Sequence, residues 1–189
     1  MTSEEPVVRD STAADLPRIA EIYAWNVLHG TGTFELEPPT ASDMAKRRDA
    51  VLALRLPWLV AEWRGQVVGY AYANQFRPRP AYRFCAEDSI YLAPEAQGQG
   101  VGRRLLAELL TRCEQAGMRQ MVAVIGDSKN AASIQLHARL GFTHMGLLRS
   151  TGRKFDRWLD TVMMQRAMGD GDAAPPLERD QPNSTRLAQ

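Results

Sequence analysis

One domain of the α/β (α+β) class is what this sequence predicts, built on a mixed central sheet of about six to seven strands flanked by helices. Three observations lead there. Apolar strand-like runs alternate with segments that carry a single helical apolar stripe. Trp58–Trp63, the turn Arg64-Gly65 and residues 66–73 read as an antiparallel hairpin, whereas residues 120–125 are a continuous apolar run of the kind buried on both faces, so the sheet is mixed. A chain of 189 residues with 44% hydrophobic content can bury one good core.

Taken in order, Val7, Val8 and Arg9 form a short edge strand. Thr12 with Asp15 marks a helix start, and Leu16, Ile19, Ala20, Tyr23 and Val27 continue it as a stripe that stops near His29 and Gly30. GTGTFELEPPT is a loop by its Gly and Pro content, with Phe34 as its aromatic. A second helix starts after Thr40, capped by it and Asp43, and Pro57 closes it. Past the hairpin, residues 75–81 are punctuated by proline and cannot be a central strand; they set Arg77 and Arg79 at the entrance to the next strand, 89–92. The helix beyond the glycines carries Val101, Leu105, Leu106, Leu109, Leu110 and Cys113 on one stripe, which makes Cys113 a core thiol. Gly126, Asp127 and Ser128 turn into a helix over 130–140, ended by Gly141-Phe142, and two strands, 144–148 and 157–165, close the sheet. From Gly169 periodicity disappears, so the domain is expected over 1–168 with a disordered tail over 169–189.

Composition excludes several function classes. With 23 basic and 22 acidic side chains the net charge is +1, which makes no whole-protein case for nucleic acid. No apolar run approaches the roughly 18 residues of a membrane span. An acidic N-terminus without an apolar signal core leads to an expected cytoplasmic location. Cys85 and Cys113 are too few for a disulfide scaffold or a cysteine-rich zinc site, and His29, His137 and His144 are widely spaced, so no metal is expected.

The stretch 88–102, DSIYLAPEAQGQGVG, runs from a strand through Gly98, Gly100 and Gly102 into a helix. Little side-chain bulk and a bare helix N-terminus favour an anion, most often phosphate. Gly102 is followed by Arg103-Arg104 and not Lys-Ser/Thr, which excludes a nucleotide P-loop, and G-x-G-x-G is not the dinucleotide spacing.

Gln97-x-x-Gly100-x-Gly102 resembles the pyrophosphate loop of the GNAT N-acetyltransferases, which bind acetyl-CoA. Asn130-x-x-Ser133-x-x-Leu136-His137-x-x-x-Gly141-Phe142 resembles a second segment of that family. Thr33-Phe34, PWLVAE from Pro57, GYAYA from Gly69, Arg79-Pro80-Ala81-Tyr82, Glu87-x-Ser89-x-Tyr91 and VAVIG from Val122 look like the phosphinothricin and methionine sulfoximine N-acetyltransferases, a similarity spanning about residues 7–166. The resemblance implies the GNAT fold, acetyl-CoA as co-substrate, a small amino-acid-like amine as acceptor, and a homodimer.

It also implies site residues. Glu87 matches the family's base, acting directly or through water, with its pKa raised by burial; the alternative is an ion pair with a nearby arginine. A strand that splays from its neighbour would offer backbone groups of Ile90, Tyr91 and Leu92 to the pantetheine arm and the thioester oxygen. Gln97, Gly98, Gln99, Gly100, Val101, Gly102 and Arg103 would hold the pyrophosphate, and Asn130 the cofactor chain. His137 stands where many members carry a tyrosine that protonates the thiolate, and is either that acid or a packing residue. Phe34, Arg77, Arg79 and Tyr82 would surround the acceptor, and residues 152–155 would close the pocket or join a dimer interface. Two other functions stand beside this one. The first is acetylation of a different amine, a protein N-terminus or a polyamine, the latter disfavoured by two arginines. The second is a non-catalytic acyl-CoA sensor, against which Glu87 weighs.

Overall fold

A computed structural model describes residues 5–177, as β1 (Val7–Asp10), α1 (Leu16–His29), α2 (Ala41–Ala53), β2 (Trp58–Trp63), β3 (Gln66–Gln75), β4 (Cys85–Leu92), α3 (Val101–Gln115), β5 (Gln120–Gly126), α4 (Ala131–Arg139), β6 (Thr143–Lys154) and β7 (Arg157–Ala167). The strands form one sheet in the order β1-β2-β3-β4-β5-β7-β6, antiparallel at every junction except β4–β5. Residues 178–189 of the expected tail lie outside the described residues.

Local chemistry starts each element where the sequence places it. Thr12 and Asp15 form a reciprocal capping box ahead of α1, and Thr40 and Asp43 form another at α2. Arg64 and Gly65 both take positive φ (54° and 73°), the two-residue turn whose twist suits a hairpin, and Phe155 and Asp156 repeat it (50° and 57°) between β6 and β7. Gly69 and Tyr70 are neighbours on β3 and point to opposite faces. A Cβ at Gly69 would meet Leu92 and Leu105, so that face belongs to α3. The ring of Tyr70 stacks on Tyr91, which meets Tyr23 of α1 at 4.8 Å, so the other face belongs to α1, with α2 over β2 and β3.

The stripe read on α3 is buried throughout, Val101 and Leu105 to Cys113 alike, with each fully buried leucine worth roughly 1.5–3 kcal/mol. On the opposite face Trp58, Tyr70, Tyr72, Tyr91 and Tyr23 form an aromatic layer, Trp58 and Tyr72 stacking at 4.2 Å.

The structure differs from the sequence expectation in four places. β4 starts at Cys85, not 89, because β3 runs to Gln75 and pairs Asn74↔Glu87 and Gln75↔Ala86. β5 is not buried on both faces along its whole length: Val124 is 37% exposed, although α4 packs against the strand. α4 begins at Ala131, with Asn130 as its N-cap, so Asn130 precedes the helix. β6 extends to Lys154 through a register shift near Ser150, where φ is +55° and the Ser150 N–H donates to Asp160. The start of the expected tail has contacts of its own: Arg119 pairs with Asp170 at 3.2 Å and donates to the Pro175 carbonyl, and the Gly171 N–H donates to the Met168 carbonyl.

Candidate active site

The sheet opens at its one parallel junction. β4 and β5 are in register only from Cys85↔Gln120 to Asp88↔Ala123. Beyond that, β4 continues to Leu92 beside β3 alone, and β5 to Gly126 beside β7 alone. The inner edges 89–92 and 124–126 therefore face each other without a ladder, leaving backbone groups that a ligand can satisfy in place of a strand. This fork is the splay implied at Ile90, Tyr91 and Leu92. Asn26 of α1, which the sequence reading passed over, donates through Nδ2 to the Leu92 carbonyl at 3.1 Å and fixes the end of that edge.

The glycine loop follows β4. Gly98 and Gly100 have φ of +72° and +78°, and a Cβ on either would meet nothing within 4 Å, so the loop is left-handed and open outward. α3 starts with no side-chain N-cap, which leaves the first-turn amides of Val101, Gly102 and Arg103 without capping partners. Gly102 faces inward instead: its Cβ would lie 3.4 Å from Leu92 and Leu136, so it lets α3 close on β4 and α4. Arg104 is taken up by Glu5 at 2.7 Å, while Gln97, Gln99 and Arg103 are exposed. An open cradle of amides at a helix N-terminus fits a pyrophosphate.

Glu87 and Asp88, adjacent on β4, point to opposite faces. Glu87 lies on the aromatic face, half-buried, and among the described residues no hydrogen bond or ion pair holds its carboxylate. Burial first, then the charge of Asp88, raise its pKa above the ordinary value, against the opposing pull of Arg77. The arginine ion pair that the sequence allowed is thus not formed.

Asp88 turns to α4, where its Oδ2 accepts from His137 Nε2 at 3.0 Å, while Oδ1 is buried without a partner among the described residues. His137 is only 2% exposed, its Nδ1 meets the Ser133 carbonyl at 2.7 Å, and Phe142 packs edge-on at 5.0 Å. Burial works to lower the His137 pKa, but the hydrogen bond and charge of Asp88, with the Ser133 carbonyl, raise it overall. Both ring nitrogens are committed inside the fold. Asn130 uses Oδ1 to cap α4 through the Ser133 N–H, with its Nδ2 beside Gly32 of the α1–α2 loop.

The expected acceptor residues lie in two groups, one before β4 and one beyond β5. Before β4, Phe76 carries Arg77 over its ring at 4.8 Å and meets Tyr82 edge-on at 5.9 Å. Gln75 Nε2 donates to the carbonyls of Arg77 (2.7 Å) and Arg79 (3.1 Å), so it shapes this segment, although sequence offered no sign of it. The Arg79 side chain is exposed. Phe34 sits at the other end, against Gly126 of β5 and Gly152 of β6. Residues 152–155 thus form the end of β6 and the turn that follows, behind the Phe34 loop.

Known proteins match this arrangement. Residues 19–142 match the family described as Acetyltransferase (GNAT). The chain is 54% identical over 170 residues to a phosphinothricin N-acetyltransferase of Alcaligenes faecalis, covering 90% of this chain and 85% of that protein. It is 39% identical over 168 residues to an L-methionine sulfoximine/L-methionine sulfone acetyltransferase of Salmonella typhimurium, covering 89% and 97%. A phosphinothricin acetyltransferase of Sinorhizobium meliloti, solved in complex with acetyl-CoA, superposes with a TM-score of 0.90 at 49% identity, covering 95% and 97%.

Proposed function

The chain belongs to the acetyltransferase (GNAT) family, and from that premise we propose that it acetylates the amino group of a small amino acid or analogue of the phosphinothricin, methionine sulfoximine or methionine sulfone type. The reaction is acetyl-CoA-dependent N-acetylation. Acetyl-CoA supplies the acetyl group as a thioester, and the loop 97–103 with Asn130 is the part of this chain that would hold it.

The acceptor amine must lose a proton before it attacks. The α-amine of a free amino acid is mostly protonated at neutral pH, and each unit between its pKa and the pH costs about 1.4 kcal/mol, which a positioned base can offset. Glu87 is that base: it accepts the amine proton directly or through one water, and the amine nitrogen then bonds to the acetyl carbon as the carbon–sulfur bond breaks. Backbone N–H groups on the inner edge of β4 meet the charge that develops on the carbonyl oxygen. His137 would give a proton to the departing thiolate only by leaving Asp88 or Ser133, so we assign it to positioning: it ties α4, with Asn130 at its head, to β4 at the root of the fork. Arg77, Arg79 and Tyr82 on one side and Phe34 on the other frame the acceptor, with arginine suited to its anionic groups.

The observation that carries this reading is a half-buried Glu87 that no ion pair holds among the described residues, two positions before the strands part. Glu87→Gln is expected to lower kcat by about 10²–10⁴-fold with acetyl-CoA binding intact. Unchanged kcat across pH would remove the base assignment.

A homodimer is part of the proposal. Support comes from β6, whose adjacent residues Leu147 and Leu148 are 40% and 51% exposed although they point to opposite faces, from exposed Met145 on the same strand, and from exposed Trp158 on β7 opposite Arg153. No described helix is long and apolar enough to cross a membrane. Two cysteines outside any disulfide and the use of acetyl-CoA support a cytoplasmic location, which fractionation of cells would test.

A further inference from the structure

Lys154 is buried where an ammonium is expensive. It is 5% exposed, and among the described residues it pairs with no carboxylate: its Nζ donates to the Gly30 and Thr33 carbonyls, each at 2.9 Å, across more than a hundred residues of sequence. Glu35, whose charge it feels, is held by Arg47 through two hydrogen bonds of 2.7 and 3.2 Å. A buried cation that spends its donors on loop carbonyls holds that loop, because losing it would leave two carbonyls without a charged partner.

The rest of the contact surface is shaped for the same loop. A Cβ at Gly152 would lie 2.4 Å from the Phe34 ring, and one at Gly126 would lie 2.2 Å from the Thr31 carbonyl oxygen and 2.9 Å from Phe34. Only glycine at both positions admits Phe34 between β5 and β6. From the helical side, the Tyr23 hydroxyl meets Thr33 Oγ1 at 2.8 Å, and the Arg47 guanidinium lies 5.7 Å over the Tyr23 ring. Residues 30–35 therefore sit between Asn130, next to Gly32, and the β6–β7 turn, whose two positive-φ residues hold Lys154 at its base.

We propose that Lys154 is the positioning residue for the acceptor side of the site, fixing the loop that presents Phe34 to the amine substrate through its two carbonyl bonds and the glycine seats at 126 and 152. The proposal rests on the reading that Phe34 borders the acceptor. It predicts that loop order and acceptor affinity change together while acetyl-CoA affinity does not.

The test compares wild type, Lys154→Met and Lys154→Arg in the full chain, by steady-state kinetics with an amino-acid analogue that wild type acetylates and by amide hydrogen exchange over 30–35. Lys154→Met is expected to raise KM for the acceptor by about tenfold or more, the worth of a charged hydrogen bond, with KM for acetyl-CoA within about twofold. Exchange over 30–35 should speed up, and Lys154→Arg, which keeps a donor, should recover part of both effects. Faster exchange with an unchanged acceptor KM overturns the proposal and leaves the reaction assignment standing. A wild type that acetylates no analogue sinks the assignment and the proposal with it. If Lys154→Met does not fold, Gly152→Ala carries the same test by displacing Phe34: a raised acceptor KM alone supports the proposal, and an unchanged one overturns it.

Discussion

Glu87 is the residue on which chemistry and stability pull in opposite directions. Its pKa is raised from 4.5 by burial and by Asp88. A raised folded-state value means that the stabilising contribution is present while the group is protonated, below the unfolded value, and is lost as pH climbs through the folded value. At neutral pH the folded state carries a desolvated carboxylate. Glu87→Gln should therefore unfold at equal or higher denaturant than wild type at pH 7, with the difference vanishing near pH 4, while kcat/KM falls and the acid limb of its pH profile disappears. Urea titrations at both pH values, set beside the pH–rate profile, check this, and a variant less stable than wild type at pH 7 would contradict it. The sequence carried Glu87 as a resemblance and burial as a guess. It could not supply the missing ion pair, because that depends on where Arg77 lies once Phe76 has stacked beneath it.

At the scale of elements, the proposed function depends on two parallel strands that part company after four paired residues. What holds the opening at its root is a side-chain pair, Asp88 on β4 and His137 on α4, and what holds its far end is Asn26 on α1. His137→Gln should raise KM for acetyl-CoA through a displaced Asn130 and leave kcat within about tenfold of wild type, since a positioning loss acts chiefly on binding. A drop in kcat of two orders of magnitude at unchanged acetyl-CoA KM would return His137 to the role of proton donor. Helix starts and stripes were legible because their determinants are local: Thr12 with Asp15, Thr40 with Asp43, and the spacing of Leu105, Leu106, Leu109 and Leu110. The reach of β4 and β6 was not, because Cys85 is recruited by pairing with β3 and β5 and β6 is exposed on both faces, without the alternation that marks a half-buried strand.

For the whole molecule, the sheet order brings the residues proposed for the cofactor and the acceptor to the fork between β4 and β5, and leaves β6 as an uncovered edge. Light scattering is expected to give a mass of two 21.1 kDa chains, and Leu148→Lys, a surface change worth within about 0.5 kcal/mol in the folded monomer, should halve it. A monomeric wild type would remove the dimer. Overall class, the glycine loop and the β2–β3 hairpin were within reach of pattern and resemblance, whereas the order β1-β2-β3-β4-β5-β7-β6 was not. The loop held by Lys154 was not, since a lysine on a strand reads as solvated until the fold brings Gly30 and Thr33 onto it. The central claim, that this fork joins an acetyl group to a small amino-acid-like amine, meets its most direct test in free-thiol release from acetyl-CoA measured across phosphinothricin, methionine sulfoximine, methionine sulfone, a polyamine and a peptide N-terminus. Turnover confined to the amino-acid analogues is the predicted result; tight binding of CoA with no thiol release for any amine, or turnover of the polyamine alone, would contradict it.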